Sequence, residues 1–325
     1  MEKQAIEETV LKNKLQYFPI SFFASVMGIS GLAVAFERYE QVFKLSGRIG
    51  LILLIAVYLA CILVAITYSF KIIRYFPAVV SEINHPLKAN FFPAFSISLL
   101  LLSTGTINYQ EKLAFGLWVI GTVVHFILTI VIISRWITQK YQILQVNPAW
   151  FIPVVGNIII PIAGIKFVNI EICWFFFSIG LFFWVILFAL IFYRVVFHDP
   201  LPKQLFSTLF IFIAPPSVAF MAYVKMAGHM DSFARILLYI AWFFVILLLS
   251  LPGYFFKLDF VVTWWAYTFP LCAVTIASIT AFDLLKVPLF GGIAIGLLIL
   301  TTLVVVTVFS KTIYALFHNQ ICVPE

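Results

Sequence analysis

The chain has 325 residues, of which 64% are hydrophobic and 10% charged, with 37 Phe and a formal net charge of +7. A soluble globule could not hide that much apolar surface from water, so composition alone makes this an integral membrane protein. Its positive charge is spread among short loops, which excludes a nucleic-acid partner. The absence of HExxH, GxSxG, a Walker loop and paired intramembrane aspartates speaks against an enzyme.

Residues 1–16 carry Glu2, Glu7 and Glu8 among three lysines and lack an uninterrupted apolar core. That is unlike a signal peptide, and a short, retained cytoplasmic segment is expected there. Apolar runs of ~20 residues, the length that crosses a bilayer, then fall at 17–36, 49–70, 91–109, 113–135, 148–166, 172–195, 205–226, 232–251, 260–282 and 288–316. They make a ten-span, all-α channel domain over 17–317 with a tail at 318–325. Ten crossings put both termini on one side. Twelve Lys and Arg fall on that side and eight on the other, so the positive-inside rule places the termini in the cytoplasm.

Proline divides the spans into two kinds. The odd ones contain Pro19, Pro93, Pro153, Pro161, Pro215, Pro216 and Pro270, whereas the even ones hold none beyond a first residue, Pro288. Strict alternation reads as an internal repeat in which odd helices ring an axis and even helices form an outer wall. Asn84-His85-Pro86, Asn147-Pro148 and Asp199-Pro200 each put a polar residue before a proline, the signature of an N-cap with Pro in the first turn. Small residues follow in the odd spans: Gly28, Ser30 and Gly31, then Ser96 and Ser98, then Gly156 and Gly164, then Ala214 and Ser217. They serve close helix packing or leave room for a channel.

The ninth span holds Thr263-Trp264-Trp265-Ala266-Tyr267-Thr268-Phe269-Pro270. Pro270 has no N–H for the carbonyl of Ala266 and disfavours helical geometry at Phe269, which predicts a bend at that residue. Lipid cannot satisfy a freed carbonyl, so the bend belongs on a pore-lining element.

All thirteen acidic residues fall outside the span centres, with Glu171, Asp259 and Asp283 nearest. His125 is the one titratable group near a centre, and either relays protons or bonds across to a neighbouring helix. Lys166, Lys225 and Arg235 are candidate outer-mouth charges, or ordinary interfacial cations snorkelling to water. Cys61, Cys173, Cys272 and Cys322 lack paired spacing and read as small hydrophobes rather than metal ligands. No cofactor is expected.

Val262 to Pro270, Asn147-Pro148 with Val154-Val155-Gly156-Asn157, Asn84 to Phe92, and Phe212-Ile213-Ala214-Pro215-Pro216-Ser217 together resemble the signatures of the tellurite-resistance/dicarboxylate transporter family. Bacterial TehA and the plant slow anion channels belong to that family. The resemblance covers the chain from the first span to the tenth. It implies five helical hairpins with quasi-fivefold symmetry around a central pore, a homotrimer with a pore in each subunit, and a bacterial inner membrane. It also implies a phenylalanine plug on the ninth helix, which falls on Phe269, and a bend at Gly28 in the first. The termini are short compared with the plant members, so kinase control of the plant kind is not expected.

Two functions follow. One is a passive anion channel for small inorganic or carboxylate anions, occluded by Phe269. The alternative is an ion-coupled carrier of a dicarboxylate, sulfite or a related oxyanion. The lack of a carboxylate in the span centres favours the channel, with selectivity set by the cost of dehydrating the anion.

Overall fold

The computed structural model describes residues 14–45, 47–255 and 258–323. Glu2, Glu7, Glu8 and Lys257 lie outside the described residues, as does most of the segment expected over 1–16.

The chain forms successive hairpins of one central and one peripheral helix. The first pairs α1 (Phe23–Val42) with α2 (Ile49–Arg74), followed by the short α3 (Phe76–Asn84). The second pairs α4 (Pro93–Thr106) with α5 (Glu111–Thr138). In the third, the short α6 (Ile152–Val155) and α7 (Ile160–Gly164) precede α8 (Ile170–Phe197). The fourth pairs α9 (Ala214–Ala227) with α10 (Ser232–Leu249), followed by the single-turn α11 (Pro252–Phe255). The last pairs α12 (Thr268–Leu285) with α13 (Pro288–Phe317). Nine helical segments among the described residues are long and apolar enough to cross a bilayer, and Pro148–Gly164 forms a shorter apolar one. The chain is therefore a multi-pass, all-α membrane protein.

Burial separates the two kinds of helix. In the four long central segments 72% to 83% of the most apolar window is buried within the protein, against 28% to 39% in the five peripheral ones. The central helices close a ring, since α1 packs on α4 and α12, α9 packs on α12, and the segment 148–164 sits between α4 and α9. Peripheral faces carry exposed apolar residues such as Leu59, Leu63, Phe182 and Ile246, as suits contact with lipid.

Every central helix begins in 3-10 geometry and continues as α. Ile20–Phe22 leads into α1, Lys88–Phe91 into α4, Pro148–Phe151 into α6 and Gly156–Ile159 into α7. Lys203–Ile213 leads into α9 and Val262–Tyr267 into α12. Proline explains the pattern. A proline at position i leaves the carbonyl at i−4 without its α-helical donor, and a 3-10 bond from residue i−1 supplies one instead. Thus Phe18 N–H reaches Leu15 O below Pro19, and Phe92 N–H reaches Ala89 O below Pro93. Ile152 N–H bonds Ala149 O below Pro153, Ile160 N–H bonds Asn157 O below Pro161, and Ala214 N–H bonds Ile211 O below Pro215. These five freed carbonyls are answered within the chain.

Three expectations are corrected here. Phe269 is not displaced from helical geometry: it lies in the first turn of α12, and the change of pitch falls just before it, between Tyr267 and Thr268. Of the three polar-proline pairs two cap: Asn147 accepts from Ala149 N–H at 3.0 Å, and His85 Nδ1 accepts from Leu87 N–H at 3.2 Å and Lys88 N–H at 3.4 Å. Asn84 instead ends α3, and Pro202 occupies the N-cap position where Asp199 was expected. The first central helix also runs past residue 36 to Val42 and carries Glu37, only 8% exposed.

Basic residues near the far ends of the peripheral helices hold the chain where central helices begin. Lys71 donates to Phe18 O at 2.8 Å, Arg135 to Ile83 O at 2.6 Å and Arg194 to Asp199 O at 2.5 Å. Lys311 lies 5.7 Å from the centre of the Trp264 ring. Lys71 also pairs with Glu82 at 2.9 Å, both being nearly fully buried. The same carboxylate accepts from Ile20 N–H and Tyr68 Oη.

Candidate functional site

Two cavities lie along the axis of the ring, and among the described residues both are lined by the five central segments and the residues flanking them, with no contribution from the peripheral helices. The one at the N-terminal ends of these helices is small, about 60 Å³, with Met27, Phe91, Phe151 and Trp265 in its wall. Such an apolar space holds water poorly. The other, at the C-terminal ends, is a vestibule of about 530 Å³.

Among the described residues, Ile159, Val218 and Phe269 line both cavities and so form the partition between them. Ile159 and Val218 are each 3% exposed and locked in the core. Phe269 is only partly buried, and therefore has space to change rotamer. Gly31 brings α1 against α12, since a Cβ there would come within 2.7 Å of Cys272 Cβ and lie in ordinary contact with the Phe269 ring, 3.5 Å from Cδ2. Pro270, next in the chain, fixes the backbone that carries the ring.

The remaining expected site residues fall as follows. Pro93, Pro161, Pro215, Pro216 and Pro270 all stand in the first turn of an α segment. Gly28 sits inside the continuous α1, where a Cβ would come within 2.0 Å of Thr268 Oγ1, so it brings α1 against α12. At Gly156 a Cβ would meet His125 Cε1 at 2.4 Å. His125 reaches inward from peripheral α5, fully buried, with Nδ1 2.9 Å from Ser96 Oγ. Of its two readings, the structure shows the bond across to another helix. Its neighbours on α5 secure the short central segment: Thr129 donates to Pro153 O, Trp118 to Ile160 O, and Asn157 donates back to Thr129.

Lys166 and Lys225 line the vestibule, whereas Arg235 lies exposed on the first turn of α10, outside its lining. Sequence reasoning missed the rest of the charge there. Arg38 lines the same space and bridges to Asp283 at 2.8 Å. Glu37 also lines it, accepting from Asn108 at 2.9 Å and from Gln41 at 3.3 Å. A detectable signal existed: Val34, Glu37, Arg38 and Gln41 continue the helical period beyond the apolar run. Ile159 and Val218 carried none, being ordinary apolar residues in apolar spans.

A family model described as "SLAC1: Voltage-dependent anion channel" matches residues 17–313. An S-type anion channel of Arabidopsis thaliana, SLAH2, is 32% identical over 87% of this chain and 56% of its own length. A second, SLAH3, is 31% identical over 96% of this chain and 51% of its own. The chain thus spans about half the length of these plant relatives. A tellurite resistance protein TehA homolog of Haemophilus influenzae is 24% identical over 88% of this chain and 90% of its own length.

Proposed function

The chain belongs to the SLAC1 family of voltage-dependent anion channels, and from that premise we propose that it is a passive channel for small inorganic or carboxylate anions. The single observation that carries this reading is the partition of one axial path into two cavities by Phe269, Ile159 and Val218. Two of these side chains are immobilised by the core, so Phe269 is the gate. When its ring swings aside the two cavities join. The path has no tight ligand cage at the partition, so an anion crosses it by shedding part of its hydration, and iodide and nitrate pass more readily than chloride. Cations are held back by Lys166, Lys225 and Arg38 in the vestibule, whose field is screened over ~8 Å at physiological salt.

The vestibule opens to the outside and both termini lie in the cytoplasm of a bacterial inner membrane. The subunits form a homotrimer through peripheral faces, each with its own pore in a quasi-fivefold ring. Cross-linking that captures only monomers in mild detergent would count against this assembly.

Glu37 favours a second reading, because a carboxylate that is 8% exposed within α1 is the kind of group a proton-coupled carrier uses. The test is the reversal potential of the purified protein in a planar bilayer at two pH values. A channel follows the anion gradient alone, whereas a shift with the pH gradient at constant anion gradient would establish coupling.

A further inference from the structure

The deep part of the vestibule carries two opposite charges that no ion pair consumes. Lys225, in the last turn of α9, donates to the carbonyl of Ile162 at 3.0 Å and forms no salt bridge among the described residues. An ammonium has three donors, so two remain for the cavity that Lys225 lines. Glu37 faces the same cavity from α1. Asn108 and Gln41 both donate to its Oε1, which fixes the carboxylate where it stands.

The other charges nearby are already engaged. The Arg38 guanidinium sits on Asp283 at 2.8 Å, and Asp283 also takes Lys286 at 2.7 Å. Lys166 lies 3.5 Å from Glu111 at the exposed rim. The Arg38 guanidinium gives Asp283 one N–H, from Nη2, whereas Lys225 has no ion pair among the described residues and is a compact point charge on a flexible stem. Lys225 is seven residues beyond Val218 and Glu37 six beyond Gly31, which places the pair about 10 Å past the Phe269 partition at 1.5 Å per helical residue.

We infer that Lys225 and Glu37 form a valence filter at this level, a site that holds one monovalent anion and turns away dicarboxylates. The inference rests on the anion-channel reading above and narrows its substrate class. A monoanion takes the two free donors of Lys225 and leaves the cavity electrically balanced against Glu37. A dianion brings a second negative charge into the same space, where Glu37 repels it. Protein walls strengthen that repulsion relative to bulk water.

The test compares wild type, Glu37→Gln and Lys225→Met, reconstituted as full chains in planar bilayers, with chloride, nitrate and succinate as the probes. Glu37→Gln keeps the shape of the side chain and removes its charge, and should raise the succinate-to-chloride permeability ratio about tenfold. Lys225→Met should lower chloride conductance several-fold at low chloride and shift its half-saturation upward. Thermal stabilisation of the detergent-solubilised protein by chloride, and not by succinate, should appear in wild type and be lost in Lys225→Met, which gives a readout independent of gating. If no variant or wild type conducts any anion, the channel reading itself falls. If chloride flows but both substitutions leave the permeability ratio, the half-saturation and the stabilisation unchanged, the valence filter alone is overturned.

Discussion

Replacing Phe269 by alanine removes the proposed gate and leaves Ile159 and Val218, the fully packed members of the partition, in place. Swinging the intact ring out of the path costs ~1–3 kcal/mol, the range for locally strained states, so the wild type is open roughly 15% to 1% of the time. Removing the ring therefore has room to raise basal conductance about seven- to a hundredfold. Loss of packing works in the opposite direction, because a fully buried Phe cut to Ala costs ~3–5 kcal/mol. Phe269 borders a cavity on either side, so its cost falls at the lower end and assembly should survive. Phe269→Leu should lie between wild type and Phe269→Ala. The control is Phe188→Ala on peripheral α8, whose ring lies 5.6 Å from Phe212 and 5.7 Å from Phe244 and away from both cavities; it should lower stability without opening a path. The assay is anion conductance per correctly assembled molecule. Unchanged or reduced current in Phe269→Ala, with normal assembly, would refute the gate.

Gly28→Ala forces a methyl to within 2.0 Å of Thr268 Oγ1 and 2.8 Å of its Cβ and should cost ~1–3 kcal/mol as overpacking; Thr268→Ala, which removes Oγ1 but keeps Cβ, should restore only part of it in detergent unfolding curves. Glu82→Ala strands the buried ammonium of Lys71 together with Ile20 N–H and Tyr68 Oη, and should lower stability by ~3–5 kcal/mol. A Lys71→Met/Glu82→Leu double variant that was no more stable than Glu82→Ala would contradict the buried-pair account. Asp231 accepts from Tyr223 Oη and caps α10 at Ala234 N–H, and these bonds, Tyr223 first, hold its carboxyl below the usual range. A depressed folded-state pKa means the contribution is complete above about pH 4 and is lost as pH falls through the folded value. Asp231→Asn should therefore flatten the melting temperature between pH 5 and pH 3, and an unchanged acid profile would remove Asp231 from that role.

The division into central and peripheral helices was legible because proline placement has a direct backbone consequence, and the burial of the two sets follows it. What proline does locally was read too coarsely: a bend at Phe269 was expected, yet Phe269 lies within α12, and below Pro19, Pro93, Pro153, Pro161 and Pro215 the preceding residue donates a 3-10 bond. The proposed gate position was readable only through the resemblance around Trp264 to Pro270, whereas its neighbours in the partition, Ile159 and Val218, become special only when the ring of helices closes. Glu37 was misread for a physical reason. A hydropathy window ends a helix at the first charges, although a helix facing a vestibule carries them onward where neighbours such as Asn108 and Gln41 donate to the carboxylate. That correction removes the lack of a buried carboxylate as an argument for a channel and leaves the cavity geometry to carry it.

The most direct measurement is the reversal potential of Phe269→Ala in a bilayer separating unequal potassium chloride solutions, with pH equal on both sides. Anion permeation through the opened partition places reversal near the chloride equilibrium potential, moving further when nitrate replaces chloride on one side. Reversal near the potassium equilibrium potential would contradict an anion path through this fold.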